Sequence, residues 1–302
     1  MTASDLLGRL LFSLAWIPGQ LPLALQRAIG HGVGRLVRAA NLREARIAAR
    51  NLELIAPTMP APERDRLALD ILRATGANAM ETLRVWTRGR ASNLALVREV
   101  RGRERLDAAL ALGRGAIVSA PHYGNWELMI EYLAVVAPFS LVYRVPEKRF
   151  GDVFLRLARR GHNVTLVPAE STAMRPLFRA LQAGQLVGIT PDQQPKLGAG
   201  EFAPFFGRQA LTLTLIPKLA QRSGAPVVYA WAEPVAGGFD IVFEDAPADI
   251  ADADLRIATT AMNAKVEEIA RRRPDWYQWT YKRFSRRPKG SGEANPYYPD
   301  CY

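Results

Sequence analysis

Six short apolar runs in the second part of the chain, separated by segments with helical periodicity, constrain the fold more than any other feature. Such runs, rich in Val, Ile and Leu, are typical of strands buried on both faces, and the intervening helices supply the crossovers of a parallel sheet. We therefore predict an α/β fold with a central, mostly parallel sheet flanked by helices. The predicted strands are 116–120, 139–143, 164–167, 186–190, 227–231 and 239–243, and the predicted helices are about 125–136, 149–160, 172–183, 211–223 and 252–272.

The part of the chain that precedes these runs has helical rather than strand patterning. Helices are predicted at 41–54 and 62–87, separated by a turn that contains prolines. We predict an amphipathic, membrane-associating N-terminal region over 1–40. An α/β domain is predicted over 41–302, helical over 41–112 and containing the sheet over 113–290.

An apolar segment near the N-terminus favours contact with a membrane. Leu10, Leu11 and Leu14 recur at helical spacing, with Trp16 at the end of the pattern and arginines on both flanks. Prolines and a glycine interrupt the apolar run before it reaches the ~20 residues that a spanning helix needs. This composition is typical of a helix that lies in the membrane interface. A helical hairpin packed on the domain is the alternative.

The charge of the chain points to an anionic partner. The formal net charge is +11 and is concentrated at the two ends, with +5 over residues 1–50 and +7 over residues 271–289. Nucleic acid, an anionic membrane and a phosphorylated substrate all fit a basic chain. With 49% hydrophobic and 23% charged residues, the chain is neither disordered nor a polytopic membrane protein. The single cysteine, Cys301, excludes an intramolecular disulfide and a cysteine metal cluster.

The strongest candidate for catalysis is the segment H-Y-G-N-W-E over residues 122–127, directly after the predicted strand 116–120. Open α/β sheets bind ligands beyond the carboxyl ends of their strands. If Asn125 caps a helix, Glu127 lies in its first turn and reaches back to the imidazole of His122. A carboxylate on one ring nitrogen fixes the tautomer, so that the other nitrogen is able to take a proton from an alcohol. A structural histidine, with a glutamate that only complements the helix dipole, is the alternative.

The setting of this segment, A-P-H-Y-G-N-W-E over 120–127, resembles the lipid A biosynthesis late acyltransferases. These are the lauroyl- and myristoyltransferases of the wider glycerolipid and lysophospholipid acyltransferase superfamily. A lone H-x-x-x-x-E pattern would be weak support, but further blocks resemble the family in order along nearly the whole chain. These blocks are R-I-A-A-R-N-L-E (46–53), V-Y-R (142–144), T-P-D-Q-Q (190–194), A-P-F-F-G-R-Q-A-L-T (203–212) and P-D-W-Y-Q-W-T-Y-K-R-F (274–284).

The resemblance implies transfer of a fatty acyl chain from an acyl carrier protein thioester to a hydroxyl of a phosphorylated glycolipid, the lipid A precursor of lipopolysaccharide. It places the reaction at the cytoplasmic face of a bacterial inner membrane, with acyl carrier protein, the glycolipid acceptor and an anionic membrane surface as partners. We expect no metal and no cofactor beyond acyl-ACP or acyl-CoA as co-substrate, because the thioester is already activated. Direct transfer without a covalent enzyme intermediate is expected.

Under this resemblance His122 is the general base and Glu127 is its orienting partner. Arg144 is the first candidate to bind the oxyanion or a phosphate, and Arg159 or Arg160 is the second. A surface charge after a strand is the alternative for Arg144.

Further substrate-binding residues are expected in the later blocks. Asp192, with Gln193 beside it, is expected to orient an arginine or the disaccharide, and a turn-forming Pro-Asp pair is the alternative. Arg208, Lys282 and Arg283 are expected to bind lipid phosphates or the acidic carrier protein. The dense aromatic group over 276–284 is expected to be core for at least half of its members. The chain departs from the family pattern at 281–282, where Tyr-Lys replaces the frequent His-Arg, and its N-terminal apolar segment is more interrupted than a typical single span.

Two other functions remain open on the sequence, and a third is not expected. The first is an acyltransferase of the same superfamily acting on another lysophospholipid or glycolipid acceptor. The second is a thioesterase, in which His122 activates water. The third, nucleic-acid binding by the basic ends, is not expected, because the sequence contains no zinc-ligand spacing, basic helix-turn-helix signal or RNA-binding aromatic motif.

Overall fold

The computed structural model describes residues 2–159 and 163–302 of the chain. The helices of these ranges are α1 (Ala3–Gly19), α2 (Leu23–Ala39), α3 (Arg43–Ile55), α4 (Ala61–Thr87), α5 (Arg90–Leu94), α6 (Arg103–Ala111), α7 (Trp126–Val136), α8 (Arg149–Ala158), α9 (Met174–Gln182), α10 (Leu215–Ser223) and α11 (Leu255–Arg272). The strands are β1 (Val97–Arg101), β2 (Ala116–Ser119), β3 (Phe139–Tyr143), β4 (Val164–Pro168), β5 (Leu186–Ile189), β6 (Gly200–Phe205), β7 (Arg208–Leu213), β8 (Val227–Val235) and β9 (Gly238–Asp245).

Seven strands form one sheet in the order β1-β9-β8-β2-β5-β3-β4. Every neighbouring pair in it is parallel except β8 and β9, which are antiparallel. The central strand β2 is buried along its whole length, and its Ile117 pairs with Val187 of β5 and Val227 of β8. The predicted α/β fold with a mostly parallel sheet is therefore confirmed.

Helices cover both faces of this sheet, so that successive residues of β2 belong to different cores. Ile117 lies in one core, and Val118 lies in the other. The first core includes Leu52 of α3, Leu177 of α9, Leu219 of α10 and Val266 of α11, and the second includes Leu106 of α6 and Leu128 of α7. The loops at the carboxyl ends of β2 and β5 are thus held between two packed layers.

Two parts of the secondary structure differ from the prediction. Strand β1 lies inside the range 41–112, which the sequence predicts to be helical. The prediction fails there because the sequence V-R-E-V-R is mostly charged, as suits a strand at the edge of the sheet. The predicted helix 211–223 begins at Leu215 instead, because residues 208–213 pair with β6 in a separate two-stranded antiparallel sheet. A single turn at Phe206 and Gly207 joins these two strands, so the hairpin leaves no room for an earlier helix start.

The N-terminal helices pack closely on the rest of the chain. Helix α2 crosses α4 with its backbone in contact, since a Cβ atom at Gly34 would lie only 2.6 Å from the backbone nitrogen of Arg73. Helix α1 packs on α8, where a Cβ atom at Gly8 would lie 2.6 Å from the carbonyl oxygen of Phe150. Asp5 at the start of α1 also accepts a hydrogen bond of 2.8 Å from Arg149 at the start of α8.

One side of this helical pair is apolar and exposed. Leu10, Leu14 and Trp16 are more than half exposed, and Leu11 is exposed at 36%. No single helix of the described ranges has the length and hydropathy for a membrane span, whereas α1 and α2 together meet that test across a bend of 112°. The other exposed apolar residues of this pair are Leu6, Leu7, Ile17, Leu25, Ile29, Val33 and Leu36.

Candidate active site

His122 lies in the loop directly beyond the carboxyl end of β2, and neighbouring backbone holds this loop on two sides. Gly124 adopts a left-handed φ of +63°, and a Cβ atom there would collide with the carbonyl oxygen of Ala232 in β8. On the other side, the amide of Gln278 donates to the carbonyl of His122 at 3.0 Å, and the amide of Gly124 donates to the carbonyl of Trp276 at 3.1 Å. The carboxyl-terminal segment therefore fixes the histidine loop, a role that no spacing rule in the sequence could indicate.

The carboxylate of Asp192 binds His122 twice. Its Oδ1 lies 2.7 Å from Nδ1 of the ring, and its Oδ2 accepts the backbone amide of the same residue at 2.8 Å. Asp192 follows β5, the neighbour of β2, and is 3% exposed. Burial alone would raise the pKa of this carboxyl. The charge and hydrogen bonds of His122 lower it by more than that, so that the pKa lies below its ordinary value. Asp192 is thus a buried, ionised partner of the imidazole.

This pairing determines which ring nitrogen of His122 is the base. With the Asp192 carboxylate on Nδ1, the proton belongs on Nδ1, and Nε2 keeps its lone pair. The amide nitrogen of Gln193 lies 3.1 Å from Nε2, which is consistent with donation to that lone pair. The indole of Trp126 meets the imidazole edge-on, with ring centroids 4.9 Å apart. The ring is therefore held in orientation and tautomer, with Nε2 as acceptor.

Glu127 has a different partner from the one predicted. Asn125 caps α7 by accepting from the amide of Leu128 at 3.0 Å, as expected, and Glu127 lies in the first turn. Its two oxygens accept from Arg159 at 2.5 and 3.2 Å, and the Glu127 side chain is 3% exposed. The prediction that Glu127 orients His122 is therefore wrong, since Asp192 occupies the Nδ1 side of the ring.

Arg159 is committed to this ion pair rather than free for substrate. It directly follows α8, and its side chain is 14% exposed. Burial lowers the pKa of Arg159, but the charge of Glu127 more than compensates and raises it. Arg144, in contrast, is exposed just beyond β3. Its positive charge partly offsets the rise that burial causes in the pKa of the Tyr281 phenol. The other arginine considered, Arg160, lies outside the described residues.

Three basic residues predicted to bind substrate lie in different surroundings. Arg283 is 2% exposed and donates at 2.6 Å to the carbonyl of Leu211 and at 2.6 Å to the hydroxyl of Thr212. It is therefore a core residue that joins the carboxyl-terminal segment to β7, which corrects its expected role as a phosphate ligand. Arg208 donates to the carbonyl of Leu54 at 2.8 Å. Lys282 lies over the ring of Tyr302, with its ammonium 3.0 Å from the ring centroid.

The aromatic group over 276–284 is mostly core, as expected. Tyr277, Trp279 and Phe284 are each less than 5% exposed. Burial and the negative charge of Asp192 raise the pKa of Tyr277 well above its ordinary value. Tyr277 is therefore a neutral phenol packed against the partner of His122. Among the residues described by the structure, no group of three or more His, Cys, Asp or Glu side chains is arranged to hold a metal ion.

A histidine with an accepting Nε2, a buried carboxylate on Nδ1, and a place beyond the central strand of a parallel sheet define a site suited to removing a proton from a substrate hydroxyl. Comparison with known families makes the class specific. The chain belongs to the bacterial lipid A biosynthesis acyltransferases, whose family model matches residues 7–286. It is thus an enzyme of the acyltransferase type.

Individual relatives support the same family. The chain is 28% identical over 278 residues to the lipid A biosynthesis lauroyltransferase of Escherichia coli strain K12, covering 91% of this chain and 90% of the relative. It is 27% identical to the lipid A biosynthesis palmitoleoyltransferase of the same strain, with the same coverage. A phosphatidylinositol mannoside acyltransferase of Mycobacterium tuberculosis strain H37Rv is 27% identical over 250 residues, covering 76% of this chain and 75% of the relative.

Proposed function

We propose that this enzyme transfers a fatty acyl chain from an acyl carrier protein thioester to a hydroxyl of a phosphorylated lipid A precursor. The observation that carries the proposal is the 2.7 Å contact between His122 Nδ1 and Asp192 in a member of this family. It replaces the expected His-Glu pair by a His-Asp pair. The curated relatives of E. coli, whose names specify lauroyl and palmitoleoyl transfer in lipid A biosynthesis, support the donor and acceptor classes.

The proposed reaction begins when Nε2 of His122 accepts the proton of the acceptor hydroxyl. The hydroxyl oxygen attacks the thioester carbonyl carbon, and the carbonyl electrons move to its oxygen to form a tetrahedral oxyanion. When the carbonyl reforms, the C–S bond breaks, and the imidazolium returns its proton to the leaving thiolate. Asp192 stabilises the imidazolium throughout, because its carboxylate is already ionised and bonded to Nδ1.

Two groups are proposed to stabilise the oxyanion. The side-chain amide of Gln193 lies 3.1 Å from Nε2, so its nitrogen marks the position that a hydroxyl oxygen takes when the acceptor binds. Displaced from Nε2, this amide is close enough to donate to the oxyanion. Arg144 is the second group, since it is exposed just beyond β3 at the same edge of the sheet. The buried Glu127–Arg159 pair is assigned a positioning role.

The proposed location is the cytoplasmic face of the bacterial inner membrane. The exposed leucines and Trp16 of α1 and the apolar side of α2 support contact with the hydrocarbon boundary, and the basic ends support attraction to anionic lipids. The proposed co-substrate is acyl-ACP, or acyl-CoA, without a metal or further cofactor. Nucleic acid is not among the proposed partners.

The test is intact-mass analysis of lipid A from cells that do or do not contain this chain, repeated with His122→Ala. We expect the wild-type chain to add the mass of one acyl group and the variant to add none. A wild-type chain that adds no mass would refute the acceptor, and a variant that still adds it would refute the mechanism. Hydrolysis of acyl-ACP by the purified enzyme that is as fast without acceptor as with it would identify a thioesterase instead.

A second acceptor class is favoured by one specific relative. The phosphatidylinositol mannoside acyltransferase of M. tuberculosis shares 27% identity over 76% of this chain. Another glycolipid or lysophospholipid is therefore the alternative acceptor, with the same base. Incubating the purified enzyme with labelled acyl-ACP and each acceptor separately would distinguish the two, because the acceptor that fits its pocket gives the higher kcat/KM.

A further inference from the structure

The loop that carries Asp192 has no regular structure of its own. It leaves the end of β5 and continues over residues 190–195 without helix or strand. Pro191 and Pro195 have no amide hydrogen to donate. Within the part of the chain that the structure describes, residues 191–195 make no hydrogen bond between two backbone groups. A carboxylate in such a loop keeps its direction only if neighbouring residues anchor the chain.

Gln194 provides this anchor. Its backbone amide donates to the phenol oxygen of Tyr281 at 2.9 Å. Its side-chain amide donates to the carbonyls of Lys282 and Arg283 at 2.7 and 2.6 Å, and its Oε1 accepts from the hydroxyl of Ser285 at 3.2 Å. Every one of these partners lies within residues 281–285, so Gln194 fastens the loop to the carboxyl-terminal segment.

The hydrogen bond to Tyr281 acts directly on the residue that faces the base. The amide that donates to Tyr281 belongs to the planar peptide group between Gln193 and Gln194, so the bond fixes the orientation of this plane. The side-chain amide of Gln193 lies 3.1 Å from Nε2 of His122, and Asp192 is the residue before it. Rotation of this peptide group would therefore shift both side chains relative to the imidazole.

The segment that holds this loop also holds the histidine loop. The amide of Gln278 donates to the carbonyl of His122 at 3.0 Å, and Tyr281 follows Gln278 by one helical turn's length of chain. Two loops that leave neighbouring strands, β2 and β5, are thus attached to one short stretch of backbone. The distance between the His122 ring and the Asp192 carboxylate depends on both attachments.

We infer that Tyr281 and Gln194 are positioning residues, which hold Asp192 and Gln193 in place against the ring of His122. The inference rests on the proposed function for the reaction and on these contacts for the geometry. Neither residue is assigned a contact with substrate, because both act through the two residues that face the imidazole. Their loss should therefore lower kcat rather than raise KM.

Kinetics provide the first arm of the test. Tyr281→Phe removes only the oxygen that accepts from Gln194, and should lower kcat with acyl-ACP by about tenfold to a hundredfold at nearly unchanged KM. Gln194→Met removes the side-chain bonds but keeps the backbone amide, and should lower kcat in the same way. Wild-type kcat in both variants would overturn the inference, as would a change confined to KM.

Tyr132→Phe is the matched control. Tyr132 of α7 is half-buried, as Tyr281 is, and its phenol oxygen also accepts a hydrogen bond, in this case from Arg103 at 3.0 Å. Both variants lose one oxygen atom, and urea unfolding should show similar small losses of stability. Only Tyr281→Phe should lose activity. An equal loss of kcat in both variants would show general loosening of the fold and overturn the positioning role.

Nitrogen-15 NMR of the His122 ring in the resting enzyme is the second arm. The wild type should show the form with the proton on Nδ1, because the Asp192 carboxylate lies on that nitrogen. In Tyr281→Phe the share of the form protonated on Nε2 should rise, whereas Tyr132→Phe should match the wild type. A tautomer ratio that is the same in all three proteins would overturn the inference.

This spectrum also separates the inference from the proposed function, because no substrate is present. A changed tautomer ratio in an enzyme that adds no acyl chain to the lipid A precursor would support the positioning role and refute the proposed acceptor. Acyl transfer to that precursor with the same kcat in wild type, Tyr281→Phe and Gln194→Met would do the reverse.

Discussion

Asp192 accepts hydrogen bonds from both the ring Nδ1 and the backbone amide of His122, at 2.7 and 2.8 Å. One carboxylate thus fixes the position of the histidine backbone and the tautomer of its side chain. This double contact makes Asp192 the residue on which the proposed base depends most directly.

Replacing Asp192 by asparagine should lower kcat by about 10⁴-fold with little change in KM, as for a histidine base that loses the carboxylate holding its tautomer. The amide is able to keep the shape but not the charge that stabilises the imidazolium. Steady-state kinetics with acyl-ACP measures the effect, and Gln193→Ala, which removes the group on the other side of the ring, is the comparison. A variant with wild-type kcat would show that Asp192 is structural.

The buried pair of Glu127 and Arg159 should behave as one unit. Glu127→Gln and Arg159→Met should each destabilise the fold by about 3–5 kcal/mol, because each leaves a buried charge without a partner. The double variant should lose clearly less than the sum of the two. Urea unfolding measures the cycle, and the exposed pair Glu267–Arg271 is the control, with an expected coupling of about 0.3–0.5 kcal/mol. Additive losses at Glu127 and Arg159 would contradict the pairing.

Arg283 should matter for folding rather than for substrate. Arg283→Met removes the donor for the Leu211 carbonyl and the Thr212 hydroxyl, and should destabilise the fold by about 2–4 kcal/mol. Its neighbour Lys282 contacts a ring at the surface, so Lys282→Met should cost less than about 1 kcal/mol. If Arg283→Met folded with normal stability and raised only the KM for the acceptor, the original assignment as a phosphate ligand would be restored.

The pH dependence of stability should reflect Asp192. Its pKa in the folded chain is below its ordinary value, so the unfolded chain binds a proton first as the pH falls. The stabilisation is therefore fully present above about pH 5 and is lost as the pH falls through the unfolded pKa of about 3.9 towards the folded one. Urea unfolding between pH 3 and 7 should show a weaker acid dependence in Asp192→Asn than in the wild type. An identical slope in both would contradict the lowered pKa.

Contact of α1 with lipid should depend on its exposed leucines. Leu14→Ser should weaken binding of the full chain to vesicles of phosphatidylglycerol by about tenfold or more, because a buried leucine contributes about 1.5–3 kcal/mol. Leu112→Ser is the matched control, since Leu112 is 55% exposed and Leu14 is 52% exposed, but Leu112 follows α6. Co-sedimentation measures both. Equal binding by the two variants would indicate that the apolar side of α1 does not enter the interface.

The sheet could be predicted from the sequence because its central strands are short, mostly apolar and separated by helices. Strand β1 could not be predicted, because its charged residues, which lie at the edge of the sheet, obscure the alternation of apolar and polar side chains that indicates a strand. The sequence does not predict the hairpin of β6 and β7, because the apolar spacing near Leu211 fits a helix as well as a strand. Burial in the folded chain, rather than local pattern, decides such segments.

The candidate site shows the same limit more sharply. The sequence indicates His122 because it follows a buried strand, and it predicts Glu127 as the partner because Glu127 is close in sequence. The actual partner, Asp192, lies 70 residues away and reaches His122 because β5 pairs with β2. Strand order is not readable from one sequence, although a polar residue at the end of a second buried strand was a usable signal. The contacts of Trp276 and Gln278 with the histidine loop had no such signal.

The packing of α1 on α8 has a practical consequence for anyone who wishes to prepare this enzyme without detergent. Phe12 of α1 meets Phe154 of α8 edge-on at 5.8 Å, and the residue that follows α8 is Arg159, which holds Glu127. Deleting the first helix to gain solubility would expose the apolar side of α8 and remove its support. A truncated preparation would therefore report on a weakened catalytic centre, whereas point changes on the outer side of α1 would leave that centre intact.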